Sequence, residues 1–211
     1  VEPRGKLITF EGGEGTGKST QTCLLKTALE QRGKRVVLTR EPGGSPGAEE
    51  IRKLVVEGDP QRWTPLSETL LFLAARIDHV ARLIEPAMVR GEWVVSDRFS
   101  DSTYVYQGVA RGLGIEKVRR LHEAALGSFA PDLTIVLDLD PAEGLKRAGG
   151  RGQGQENRFE RFDGDFHEKL RTAFRDIAKA EPKRCVLIDA ARNPGVVAAD
   201  VWRAVEERLK P

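Results

Sequence analysis

The stretch Phe10-Glu-Gly-Gly-Glu-Gly-Thr-Gly-Lys-Ser-Thr20 constrains this chain more than any other. From Gly12 onward it fits G-x-x-x-x-G-K-[ST], and it directly follows Lys6-Leu-Ile-Thr-Phe10, an apolar run of strand character. Glycines let the backbone curl until consecutive amides converge on an anion. A helix expected to begin near Lys18 adds the positive end of its dipole. Lys18 is then placed to reach the outer phosphates, and the Ser19 hydroxyl suits Mg²⁺. Strand, loop and helix together predict a P-loop NTPase sheet of the α/β class that binds a nucleoside triphosphate. What receives the phosphate has to be read from the rest of the chain.

Ser19 to Gln31 reads as a helix, with Leu24, Leu25, Ala28 and Leu29 on its apolar face and Gly33 as its stop. Arg35 to Thr39 is a second buried strand, which makes a βαβ unit with a right-handed crossover. Further strand-like runs at Trp93–Asp97, Leu133–Leu139 and Arg184–Ile188 alternate with helical stretches. The pattern predicts a five-stranded parallel sheet flanked by helices, in one domain spanning residues 1–211. With 39% hydrophobic and 31% charged residues and a net charge of +2, the composition is that of an ordinary soluble globule, and no nucleic-acid partner is implied. No apolar run approaches the roughly 18 residues of a membrane helix. Cys23 and Cys185 form no C-x-x-C and are expected as reduced, buried thiols in a cytoplasmic protein, without a disulfide or zinc site.

Residues with chemical potential cluster where strands should end. Arg40-Glu-Pro-Gly-Gly44 follows the second strand, and Asp97-Arg98 closes the third, where phosphate-loop enzymes carry their Mg²⁺-linked aspartate. Leu66 to Val89 reads as one long helix whose apolar stripe is Leu66, Leu70, Leu73, Ile77, Val80 and Ile84, with Pro86 as a kink or end. Phe72 and Arg76, four apart, share a face about 100° from that stripe. On spacing alone they either meet one object together, or Phe72 widens the core and Arg76 is solvated. Ser100 to Gly112 carries Ser102, Thr103, Tyr104, Tyr106 and Gln107, which suits both a polar pocket and a capped helix start. Lys117, Arg119 and Arg120, on a helix from Ile115 to Leu126, read as a solvated face. Residues 149–161 are rich in glycine and arginine and fit a linker by composition. Their place inside the strand–helix alternation favours a lid over phosphates.

The ordered set of the phosphate loop, Arg40-Glu-Pro-Gly-Gly44, Leu71-Phe-Leu-Ala-Ala-Arg76, Asp97-Arg-Phe-Ser-Asp-Ser-Thr103, Tyr106-Gln-Gly108 and Arg158-Phe-Glu160 resembles the thymidylate kinases over essentially the whole chain. That resemblance implies a nucleoside-monophosphate-kinase-like fold with a lid. It implies transfer of the γ-phosphoryl of ATP to the 5′-phosphate of dTMP, a step towards dTTP, by a Mg²⁺-dependent homodimer. Gly12, Gly13, Glu14, Gly15, Thr16, Gly17, Lys18, Ser19 and Thr20 would hold ATP, with Ser19 and Asp97 around Mg²⁺. Glu14 would face the acceptor sugar's 3′-hydroxyl. Arg40, Arg76 and Arg98 would surround the acceptor phosphate and base edge, beside Pro42 in a turn that is often cis. Phe72 would stack on thymine, and Thr103, Tyr106 and Gln107 would complete the nucleoside pocket. Lys18, Arg40, Asp97 and Arg98 would supply catalytic charge together with one lid arginine. The loop's variable positions Gly13, Glu14, Gly15 and Thr16 are not basic, so the resemblance is to the bacterial type with a basic lid. There Arg151 is the first choice, with Arg158, Glu160 and Arg161 as further lid residues. Asn157 departs from the aspartate of many relatives. The rival readings are a kinase for another nucleotide or a deoxynucleoside, and a nucleotide-driven switch. The switch reading lacks both N-K-x-D and L-S-G-G-Q.

Overall fold

The structure, a computed structural model, describes residues 3–149 and 158–211. In chain order the first elements are β1 (Leu7–Glu11), α1 (Lys18–Gln31), β2 (Val36–Arg40), α2 (Pro46–Val56) and α3 (Pro65–His79). A π-helical turn (Val80–Ile84) leads into α4 (Glu85–Val89), then β3 (Trp93–Asp97), α5 (Ser100–Thr103), a second π turn (Tyr104–Ala110) and α6 (Ile115–Leu126). The chain closes with β4 (Leu133–Asp138), α7 (Pro141–Gly149), α8 (Gly164–Ala180), β5 (Cys185–Asp189) and α9 (Pro194–Leu209).

The five strands are parallel, in the order β2-β3-β1-β4-β5, as the alternation predicted. β1 and β2, joined by the first crossover, are not neighbours, because β3 pairs between them. β1 therefore sits centrally, and successive connections leave it on opposite sides. The crevice at its carboxyl end is where open α/β sheets bind ligands. Register brings three strand ends abreast there: Asp97 pairs with Phe10 on one side and with Arg40 on the other.

Alternation along β1 feeds two layers of core. Ile8 and Phe10 pack with Leu25 and Leu29 of α1 and Val201 of α9, while Leu7 packs with Val94, Ile84 and Phe99. A further cluster joins Val136 to Phe166, Leu170 and Phe174 of α8. Burying side chains of this size contributes about 1.5–3 kcal/mol each, and covering both faces explains why the strands read as continuous apolar runs.

Three expectations need correction. The α3 stripe divides: Leu73, Val80 and Ile84 are buried, but Leu66, Leu70 and Ile77 are 37%, 48% and 41% exposed. The inward face is instead built around Glu68, Thr69, Arg76 and His79. Pro86 does not end the helix. The π turn just before α4 shifts the hydrogen-bond register, so no amide is required of proline at α4's first turn. Cys23 lies exposed on α1, because α1 turns that side to solvent, whereas Cys185 is buried on β5. Burial pushes the Cys185 thiol up to about 12, with Asp101 adding to the effect.

Candidate functional site

The phosphate loop turns between β1 and α1 with Gly15 at φ 67° and Gly17 at φ 92°. Gly15 also meets another backbone: a Cβ there would lie 1.9 Å from the Gly144 carbonyl oxygen on α7. The N-cap of α1 is Gly17, which has no side chain to occupy the first amides, and these suit an anion. Lys18 is folded onto the loop, its Nζ donating to the carbonyl oxygens of Gly13 (2.7 Å) and Gly12 (3.2 Å). Burial, with Arg98 adding repulsion, brings this amine down to about 8 against the pull of Asp97, Glu14 and Glu11. Ser19 Oγ donates to Asp97 Oδ2 at 2.7 Å, joining the two positions expected around Mg²⁺.

Among the described residues, no group of three or more His, Cys, Asp or Glu side chains could hold a metal ion by itself. A hydroxyl and one carboxylate are a poor cage but a good anchor for a hard cation that keeps waters and takes phosphate oxygens. The donor set therefore fits Mg²⁺.

Arg98 stands at the centre of the crevice in a left-handed conformation, φ 70°, which is uncommon for a side-chain-bearing residue and typical of positions held by their surroundings. The surroundings here are explicit. Its guanidinium donates to Gly12 O (2.9 Å), Ser102 Oγ (3.0 Å) and Glu14 Oε1 (3.0 Å), and it lies 5.1 Å from the Tyr106 ring centroid. Tyr106 Oη donates to the same Glu14 oxygen at 2.7 Å. Behind them the fully buried Glu11 accepts from Phe99 N (2.8 Å) and Ser102 Oγ (2.6 Å), which fixes the turn after β3. Burial, helped by Asp101, pushes the Glu11 carboxyl up to about 7.

A cavity of about 290 Å³ opens beside this group, bordered by Glu14, Arg40, Pro42, Phe72, Arg76, Arg98, Thr103, Tyr106 and Gln107 among others. The acceptor-side residues expected from sequence thus share one space. Arg76 lies deep, donating to Glu41 Oε2 (2.6 Å), Thr103 Oγ1 (2.9 Å) and Phe99 O (3.1 Å), while its buried Nη1 has no partner among the described residues. Glu41 also takes His79 Nδ1 at 3.0 Å, and His79 Nε2 meets Thr39 Oγ1 at 2.8 Å. Gly44 is needed against that histidine, since a Cβ there would come within 2.3 Å of Nε2. Glu41 precedes Pro42 across a cis peptide. Arg40 is exposed at the rim, 3.2 Å from Glu49. Phe72 borders the cavity with its ring 6.2 Å from that of Phe159.

The expected lid divides. Arg151 lies outside the described residues. Arg158 is fully buried: it donates to Val55 O (3.0 Å), Asp59 O (2.9 Å) and Pro60 O (2.7 Å) and is ion-paired with Glu68. These partners hold its guanidinium against α2 and the connector at 57–60. Arg161 donates to Gly58 O at 3.2 Å, and Glu160 borders the cavity. A second cavity of about 350 Å³ flanks the loop on the α9 side, bordered by Thr16, Gly17, Thr20, Arg147 and Arg192. Glu41, Glu68, His79, Arg147 and Arg192 were not singled out from sequence as site residues. Only Glu41, beside Arg40 and Pro42, offered a local signal.

A family model described as thymidylate kinase matches residues 10–201. The chain is 52% identical over 207 residues to the thymidylate kinase of a Bradyrhizobium species, covering 98% of this chain and 92% of that protein. It is 52% identical over 205 residues to that of Ruegeria pomeroyi, covering 97% and 96%. A crystal structure of thymidylate kinase from Ehrlichia chaffeensis matches with a TM-score of 0.76 at 33% identity, over 96% of this chain and 99% of that one.

Proposed function

The chain belongs to the thymidylate kinase family and phosphorylates dTMP to dTDP with ATP, and we propose how its residues divide that work. The observation that carries the proposal is the single cavity shared by Glu14, Phe72, Arg76, Arg98 and Gln107 at the mouth of the phosphate loop. An acceptor phosphate there comes under Arg98 and the rim guanidinium of Arg40, whose planar forks suit phosphate oxygens. Arg76, whose guanidinium borders the cavity, meets the base edge, Phe72 offers its ring to the base face, and Thr103, Tyr106 and Gln107 close the nucleoside side. Glu14 faces the sugar.

On the donor side the loop amides and Lys18 take the triphosphate of ATP, and the groove with Arg147 and Arg192 takes its nucleoside end. Ser19 and Asp97 hold Mg²⁺, which when bound neutralises phosphate charge. Phosphoryl transfer requires chiefly alignment and charge neutralisation, and these residues supply both. The segment 149–161 acts as a lid, with Arg151 contributing charge to the transferred group. The exposed residues Leu66, Leu70 and Ile77 lie within about 40° of one another around α3, and we assign that face to a homodimer contact. Free thiols at Cys23 and Cys185 suit the cytoplasm, and no helix among the described residues is long and apolar enough to cross a membrane.

Turnover of dTMP, dUMP, dCMP, AMP and thymidine with Mg-ATP tests the assignment. dTMP should give the highest kcat/KM, and preference for any other acceptor would overturn it.

A further inference from the structure

We propose that Glu68 is a specificity-determining positioning residue: its carboxylate orients the Gln107 side-chain amide so that the carbonyl oxygen, and not the NH₂, faces the acceptor cavity. The proposal rests on the reading of that cavity as a pyrimidine nucleotide pocket. Glu68 stands in the first turn of α3 and is fully buried. Its Oε1 accepts from Gln107 Nε2 at 2.8 Å, while Oε2 accepts from Arg111 Nη1 at 2.7 Å and is ion-paired with Arg158. Arg111 is itself held by Trp63 O at 2.7 Å.

A carboxylate paired with two guanidinium groups offers only acceptors, so the amide can meet it through its NH₂ alone. The reversed amide would set two oxygens against each other inside the protein, leaving buried acceptors unmatched. Gln107 is 1% exposed, so protein partners rather than bulk solvent satisfy most of its amide. With Nε2 held against Glu68, the proposal places the carbonyl oxygen, an acceptor, on the cavity side. Arg76 borders the same cavity. An acceptor there complements the ring N–H of an imide edge, as in thymine and uracil. Cytosine carries the opposite pattern, a ring lone pair next to an amino group. Discrimination against cytosine thus depends on a residue that never touches the nucleotide.

Wild-type turnover of dTMP is measured first, so that a failed functional reading is recognised separately. The variants Glu68→Gln, Gln107→Leu and the double are then compared by kcat/KM on dTMP and dCMP. A glutamine at position 68 can present either face, so Glu68→Gln should narrow the dTMP-over-dCMP ratio at least about tenfold. Gln107→Leu should narrow it similarly, and the double variant no further than the larger single effect. A folded Glu68→Gln protein with the wild-type ratio, or two losses that add, overturns the proposal. Should Glu68→Gln fail to fold, side-chain amide NMR of the wild type decides. The Gln107 NH₂ protons should be protected from exchange both free and with dTMP bound, and rapid exchange in the free protein, or transfer of that bond to the nucleotide, overturns it.

Discussion

Glu14 Oε1 lies 3.0 Å from Arg98 Nη2, joining the phosphate loop to the carboxyl end of β3 across the sheet crevice. Tyr106 donates to the same oxygen. Acid, guanidinium and phenol therefore form one unit, and the arginine proposed for the acceptor phosphate is oriented by a residue of the phosphate loop.

The acid limb of stability should report this unit. Burial opposes the Glu14 charge, but Arg98 first, then Lys18 and the Tyr106 hydroxyl, outweigh it and hold the carboxyl at about 2, below the ordinary 4.5. A lowered folded pKa gives stability that is complete above about 4.5 and lost as pH falls towards 2. Thermal melts from pH 6 to 2 should show Glu14→Gln with a shallower decline than wild type. An identical decline would remove Glu14 from the linkage.

Phe72→Ala should weaken dTMP binding by about 1–3 kcal/mol, in the range of base stacking on an aromatic ring, while leaving ATP binding in place. Calorimetric titration with each nucleotide separates the two. Unchanged dTMP affinity would exclude the ring from the base face.

Two arginines of the 149–161 segment should fail in different ways. Arg151→Ala should lower kcat at least about tenfold with little change in acceptor affinity, because a lid arginine acts on charge in transfer. Arg158→Met should instead lower stability by about 3–5 kcal/mol, since a buried ion pair with Glu68 is broken, and three carbonyls lose their donor. Denaturant titration and single-turnover kinetics on both variants check the division. A kcat loss without destabilisation in Arg158→Met would reverse it.

At the proposed homodimer contact, Leu70→Glu should lower the mass in solution to that of a monomer with little loss of monomer stability, because Leu70 is 48% exposed in the single chain. Light scattering after size exclusion reads the change, and a variant with wild-type mass would move the contact elsewhere.

The local determinants of this protein were legible in its sequence. A loop of glycines before Lys18 and Ser19, five apolar runs between helices, and Asp97-Arg98 at a strand end each owe their role to residues near in the chain. They led to the parallel sheet and to most of the crevice. Periodicity also showed that Phe72 and Arg76 share a face, since helix geometry alone fixes that. It could not show which face of α3 is covered, because covering is done by neighbours that the topology supplies. Leu66, Leu70 and Ile77 consequently remain outside while Glu68, Arg76 and His79 are buried. The same limit hid the network around Glu68, whose partners Gln107 and Arg111 are 39 and 43 residues away. A glutamate, a glutamine and two arginines so far apart carry no joint signature. Only the folded chain brings them within hydrogen-bond reach, where water is excluded and each must find a partner.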